Sequence, residues 1–134
     1  MVAVSTETSS SWVVRVRRGT ARIQTPRRGV LFASYSGHCC GDHVGQAMLM
    51  LLDQWVEEGL EIVIAVDTRE LEGCAQSFGA RWTRWLDANA EHLRGFELLA
   101  GHNTRGVIAA PERAAIRTHG TKLSFDYAVS SYAA

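Results

Sequence analysis

The chain reads as an α/β domain: a mixed sheet of four to six strands, opened by an antiparallel hairpin, with helices packed against it. Three observations predict this. Residues 12–18 alternate Val14 and Val16 with Arg15 and Arg17, the period of a strand with one wet face. Residues 62–66 are a continuous apolar run, as in a central strand covered on both faces. Apolar residues also recur at three-and-four spacing over residues 42–58 and 77–93, the stripe of amphipathic helices. Strands alternating with helices favour parallel crossovers.

Each element follows in order. The Ser/Thr-rich residues 1–11 lack a basic start and an apolar h-region, so a short disordered lead is expected rather than a signal peptide. Residues 12–134 then form one domain. Gly19-Thr20 offers the turn after the first strand, and residues 21–24 return as the second. Pro26 to Gly29 is another turn, and residues 30–35 are a more apolar, interior strand. Residues 36–41 break the pattern. The first helix is capped by Asp42 and stopped at Gly59, with Leu51 and Trp55 on its buried face. The central strand ends at Asp67, and a loop leads to the second helix, which buries Phe78, Trp82, Trp85 and Leu86 and closes at Gly95. Residues 96–100 are a further strand. A weaker helix is expected over 104–110, helical turns over 112–119, an edge strand over 122–125 and a short helix over 126–132.

A chain of 134 residues, 46% of them apolar, can bury a core without a disulfide or a metal. Fourteen basic and fourteen acidic residues cancel, which argues against a global attraction to nucleic acid or to an anionic membrane. The distribution is uneven, however: six arginines and no acid lie between Arg15 and Arg28. No apolar run approaches the ~20 residues that span a bilayer. Three cysteines, two of them adjacent, make a poor disulfide framework and read as reduced thiols of a cytoplasmic protein.

Three segments carry a resemblance. One is the strand ending in Tyr35-Ser36-Gly37 with the amphipathic helix after it. Another is the run from Ile62 to Asp67 followed by Thr68-Arg69-Glu70-Leu71. The third is the loop into the second helix. In this order the chain resembles the STAS-like domains (sulfate transporter and anti-sigma factor antagonist). The resemblance implies an α/β fold of that type and a non-enzymatic, cytoplasmic protein-interaction module of a bacterial regulatory kind, with a protein partner. Antagonists of the family carry a phosphorylated serine where this chain has Gln76, within Ala75-Gln76-Ser77-Phe78-Gly79, and no aspartate precedes it. The phosphoswitch is therefore not carried over. Relatives similar to lipid-binding Sec14-type domains add an alternative, a small apolar or anionic ligand held between helices and sheet.

The densest chemistry lies in His38-Cys39-Cys40-Gly41-Asp42-His43. Thiolates and imidazoles are ligands of zinc and copper, but structural sites pair two clusters, and only Cys74 or His102 remain to supply a second. No metal or other cofactor is expected. Cys39 reads either as a small inward-facing hydrophobe or as a thiol activated at a helix start. Asp67 is placed at the carboxyl edge of the sheet, where α/β proteins bind ligands, or else as a cap of the following loop. The stretch around His102 and Arg105 opens a helix and suits an anion, or is a capped turn. The expected binding edge gathers His38, Cys39, His43, Asp67, His102 and Arg105. The tryptophans at helical spacing read as core, and the arginine hairpin lacks the aromatic platform of single-strand binders, so nucleic acid is not expected. Four tryptophans and an apolar first helix suggest a homodimer.

Overall fold

The computed structural model describes residues 10–101, 107–108 and 116–119. Among these residues six strands run across one sheet in sequence order: β1 (Ser10–Val16), β2 (Gly19–Arg27), β3 (Val30–Cys39), β4 (Ile62–Cys74), β5 (Leu93–Leu99) and β6 (Ile116–His119). The first three pair antiparallel, and β3 to β6 pair parallel. Helices α1 (Gly41–Val44) and α2 (Gln46–Glu57) link β3 to β4. Helix α3 (Gln76–Ala88), with a 3₁₀ turn at Ala90–His92, links β4 to β5. The expected α/β class, N-terminal hairpin and mixed sheet are all present.

The two crossovers that carry the described helices, β3 to β4 and β4 to β5, step the same way along the sheet, and right-handed connections then place their helices on one face. That face holds the main core. Ala21, Ile23, Leu31, Ala33, Ile64, Val66 and Phe96 meet Met48, Leu52 and Trp55 of α2 and Phe78, Trp82 and Leu86 of α3. The period of two along the strands and of 3.6 along the helices selects these residues. The opposite face carries a smaller apolar set, Val30, Phe32, Val63 and Ala65, all buried. Covered on both faces, β4 needs no alternation from Ile62 to Val66, as expected of a central strand.

Several boundaries differ from the sequence expectation, each for a physical reason. The turn falls at Arg17-Arg18, with Val16 opposite Gly19, not at Gly19-Thr20. Strand β3 does not break at residue 36 but continues to Cys39, because β4 continues beside it to Cys74. Asp67 therefore lies inside a strand and not at its end. The single helix expected over 42–58 is two, interrupted at Gly45, whose φ of 84° an α-helix does not accept. Cys40, not Asp42, is the residue before α1. Helix α3 ends at Ala88, so Leu93 and Gly95 belong to β5, and residues 116–119 are strand rather than helix. Residues 10 and 11, expected in the lead, begin β1. Leu51 is half-buried, whereas Trp55, Ile64, Val66, Trp82 and Leu86 are buried as expected. Val107 and Ile108 form a bend. The remaining residues of the helix expected over 104–110, and the elements expected over 122–132, lie outside the described residues.

Trp55, Trp82 and Trp85 are buried and Trp12 is half-buried. The tryptophans thus provide no exposed patch, and self-association would have to use other surfaces.

Candidate functional site

The extension of β3 and β4 brings three sequence-distant segments to one edge. Cys39 pairs in register with Cys74, and His38 with Gly73. On the other side, the β1–β2 turn folds back so that Gly19 lies opposite Gly37. This close approach needs glycine twice. A methyl on Gly19 would lie 2.2 Å from the His38 carbonyl oxygen, and one on Gly37 would lie 2.3 Å from that of Arg18. Gly37 also has a φ of 75°, which L side chains rarely adopt. The His38 amide donates to the Arg18 carbonyl across the contact, at 3.1 Å.

A cleft of about 490 Å³ opens between these segments. The turn contributes Val16, Arg17 and Arg18. The end of β3 contributes His38, Cys39 and Cys40, α1 contributes His43, and the end of β4 contributes Cys74 and Ala75. Among the described residues no aspartate or glutamate lines it. Arg17, Arg18 and His38 are exposed and make no ion pair among the described residues. The backbone of Arg17 has a φ of 30°, the sole positive value at a non-glycine among the described residues. Two-residue hairpin turns usually put Gly, Asn or Asp where φ is positive, since a Cβ there costs about 1–2 kcal/mol.

His43 is 1% exposed and both ring nitrogens are engaged. Nδ1 accepts the Cys40 backbone N–H at 2.9 Å, and Nε2 is 3.2 Å from the Val16 carbonyl oxygen. An acceptor Nδ1 fixes the neutral tautomer, with the proton on Nε2 donated to Val16. His43 therefore ties α1 to β1 and to the amide that opens α1, and is committed to structure rather than to a ligand. Gly41 is fixed similarly: its N–H donates to Ser77 Oγ at 3.1 Å, and its carbonyl accepts from Arg81 Nη1 at 3.1 Å.

The three thiols differ. Cys39 is buried, its Sγ lying 3.5 Å from the Ser36 carbonyl oxygen, and burial pushes its pKa up to about 11. Cys74 is exposed at the rim, and partial burial of its thiol raises its pKa above the ordinary value. Cys40 is half-exposed, with Sγ 3.5 Å from His43 Nδ1. No group of three His, Cys, Asp or Glu side chains is placed to hold a metal among the described residues.

The state of Cys39 has a measurable consequence. Its raised pKa means that the folded chain keeps a proton that the unfolded chain releases from about pH 8.5. Stability from this group is complete below pH 8.5 and falls as pH climbs toward about 11. Urea unfolding at pH 8 and pH 10.5 is expected to show a larger loss for the wild type than for Cys39→Ala. Equal losses would show that the Cys39 thiol titrates as in the unfolded chain.

Of the six residues expected at the binding edge, His38 lines the cleft as an exposed side chain, Cys39 and His43 line it as buried ones, and Asp67 is elsewhere. Asp67 is 7% exposed and faces the side of the sheet away from the helices, its carboxylate taken by Arg69 at 2.8 and 3.0 Å. His102 and Arg105 lie outside the described residues. Arg17 and Arg18 are not among the expected site residues, and Cys74 is named there only as a candidate second-cluster metal ligand. A visible signal was the glycine pair Gly19 and Gly37, which permits two backbones to touch.

Comparison with models of known protein families, with curated proteins and with solved structures finds no match. No described helix is long and apolar enough to cross a membrane.

Proposed function

We propose that the chain is a non-enzymatic binding module of STAS-like type that takes a small anionic ligand in the cleft at the carboxyl edge of β3 and β4. One observation carries this reading. In a chain whose charges cancel, two arginines with no acid partner among the described residues converge with an exposed histidine on a cleft that no described carboxylate lines. A phosphate, sulfate or carboxylate is the complement of such a site, since guanidinium forks match its oxygens. The φ of Arg17 supports the reading, because strain kept at a surface turn is a mark of function. Binding is favoured over catalysis because both nitrogens of His43 are committed and no acid among the described residues lines the cleft to serve as a base. A protein partner, as the STAS-like reading implies, would then sense whether the cleft is filled. Serine phosphorylation is not part of the proposal: Ser77 accepts the Gly41 amide and helps fix α1.

The test is a titration with inorganic phosphate and citrate, followed by amide chemical shifts of Gly19, His38 and Cys40. Shifts that saturate and weaken with added salt are expected. Each lost charge-assisted contact is worth about 1.5–3 kcal/mol, so Arg17→Gln with Arg18→Gln should weaken binding at least tenfold. Arg17→Gly is a sharper probe. It relieves the positive φ and should leave stability unchanged or raise it by up to about 1 kcal/mol, yet weaken the anion. Unperturbed amides in the wild type, or an Arg17→Gly variant that binds as tightly, would overturn the reading.

A further inference from the structure

The cleft pairs positive charge with sulfur, and its three thiols are not equivalent. Cys39 is closed off: it is buried beneath the Gly19–Gly37 contact, and a methyl on Gly19 would lie 2.8 Å from its sulfur. Cys74 stands at the rim, at the end of β4. Cys40 alone combines solvent access with a sulfur held against an imidazole nitrogen, at 3.5 Å. That nitrogen belongs to a ring fixed at both ends and already accepts the Cys40 amide, so the sulfur has a fixed polar neighbour rather than a free base. We propose that Cys40 is a site of S-thiolation: its thiolate exchanges with a small anionic disulfide drawn into the cleft by Arg17 and Arg18. This rests on the anion-binding reading, which it extends from holding a ligand to bonding with one.

The exchange needs no oxidant beyond the disulfide. The Cys40 thiol gives up its proton to solvent water, and the thiolate attacks one sulfur of the disulfide. A Cys40–S–S–R bond forms, the original S–S bond breaks, and R–S⁻ leaves and takes up a proton. No net oxidation or reduction occurs: the departing sulfur goes from the disulfide to the thiol oxidation level as the Cys40 sulfur goes from the thiol to the disulfide level, and the sulfur kept in the mixed disulfide is unchanged. A second small thiol reverses the step. The selectivity among the three cysteines has a second support, since burial raises the pKa of both Cys39 and Cys74 and so lowers their thiolate fractions. The selectivity for charge comes from the lining, which among the described residues holds two guanidinium groups and no carboxylate. Anionic disulfides are concentrated there and cationic ones repelled.

The probes are glutathione disulfide, which is anionic, cystamine, which is cationic, and hydroxyethyl disulfide, which is neutral. Each is incubated with the intact chain at low salt, and adducts are located by peptide mass mapping. The expected result is an adduct on Cys40, formed at least tenfold faster with glutathione disulfide than with cystamine. Cys40→Ser removes it and Cys74→Ser leaves it. Arg17→Gln with Arg18→Gln abolishes the preference for the anion while hydroxyethyl disulfide still reacts. Adduct mainly on Cys74, or none on Cys40 with any probe, overturns the proposal. Inorganic phosphate titrated into Cys40→Ser separates the two ideas. Phosphate bound without thiolation in the wild type sinks the thiol chemistry alone, whereas a Cys40 adduct with no preference for charge and no phosphate binding sinks the anion site.

Discussion

Replacing Trp82 by alanine is expected to cost about 3–5 kcal/mol, enough to leave the domain partly unfolded at ambient temperature. Trp82 is fully buried on α3, in the centre of the main core. Its removal withdraws the largest fully buried side chain among the described residues, and the surrounding sheet and helices cannot collapse fully into the space. A polar loss adds to the cavity. The indole Nε1–H donates to the Tyr35 hydroxyl at 2.9 Å, and Tyr35 is itself 2% exposed. Burial holds that hydroxyl neutral by raising its pKa far above the ordinary value. The Tyr35 ring meets Phe78 edge-on at 4.7 Å, so helix and sheet are locked through one tyrosine. Tyr35→Phe keeps the ring and orphans the indole N–H, at a cost of about 1–3 kcal/mol. Because the two residues share one bond, Tyr35→Phe with Trp82→Phe should cost less than the sum of the single changes. Urea unfolding with an unchanged denaturant slope is the measurement. A Trp82→Ala midpoint within error of the wild type would remove Trp82 from the core.

What the sequence discloses here follows from what periodicity can see. Trp82 and Leu86 stand on one stripe of α3, and Ile64 and Val66 in one apolar run, so their burial is legible without a structure. The same rule misses Gly45, since the apolar stripe of residues 42–58 runs through the break undisturbed and only a φ of 84° reveals it. It also misses the long ends of β3 and β4. Residues 68–74 and 36–39 are each too polar to read as strand, and each becomes one only because the other lies beside it. A ladder between two weak segments is a property of the pair, and local propensity has no term for it. The site shares that origin. His38 and its neighbours were visible as unusual chemistry, but Arg17, Arg18 and Cys74 join them through register. Moving the hairpin turn by two residues carries the arginines to the edge where β3 ends. Asp67 fails for the complementary reason. An apolar run ending in a carboxylate looks like a strand end, yet Arg69, two positions on along the same strand face, neutralises it and lets the strand continue.

His43→Ala is expected to cost about 2–4 kcal/mol and to disturb the cleft through the fold rather than through a lost ligand contact. The imidazole satisfies two backbone groups, the Cys40 N–H at 2.9 Å and the Val16 carbonyl at 3.2 Å, from a position 1% exposed. Each group left unmet costs about 1–3 kcal/mol, less whatever a water entering the vacated space recovers. The two ends can be tested apart. Asparagine places an amide oxygen where Nδ1 stood, so His43→Asn should keep the Cys40 bond and lose the one to Val16. Glutamine reaches further and can donate from where Nε2 stood, so His43→Gln should do the reverse. Both should fall between wild type and alanine in urea unfolding. The disturbance should also be local. Loss of the bond to Val16 frees α1 from β1, which holds one wall of the cleft, so amide hydrogen exchange should rise at Cys40, His43 and Val44 before it rises in α3. Phosphate binding, measured where His43→Ala remains folded, should weaken less than in the Arg17→Gln with Arg18→Gln variant. A His43→Ala chain that is fully stable, fully folded and unable to bind phosphate would mean that the imidazole touches the ligand after all, and that the hydrogen bonds it makes here are not its main task.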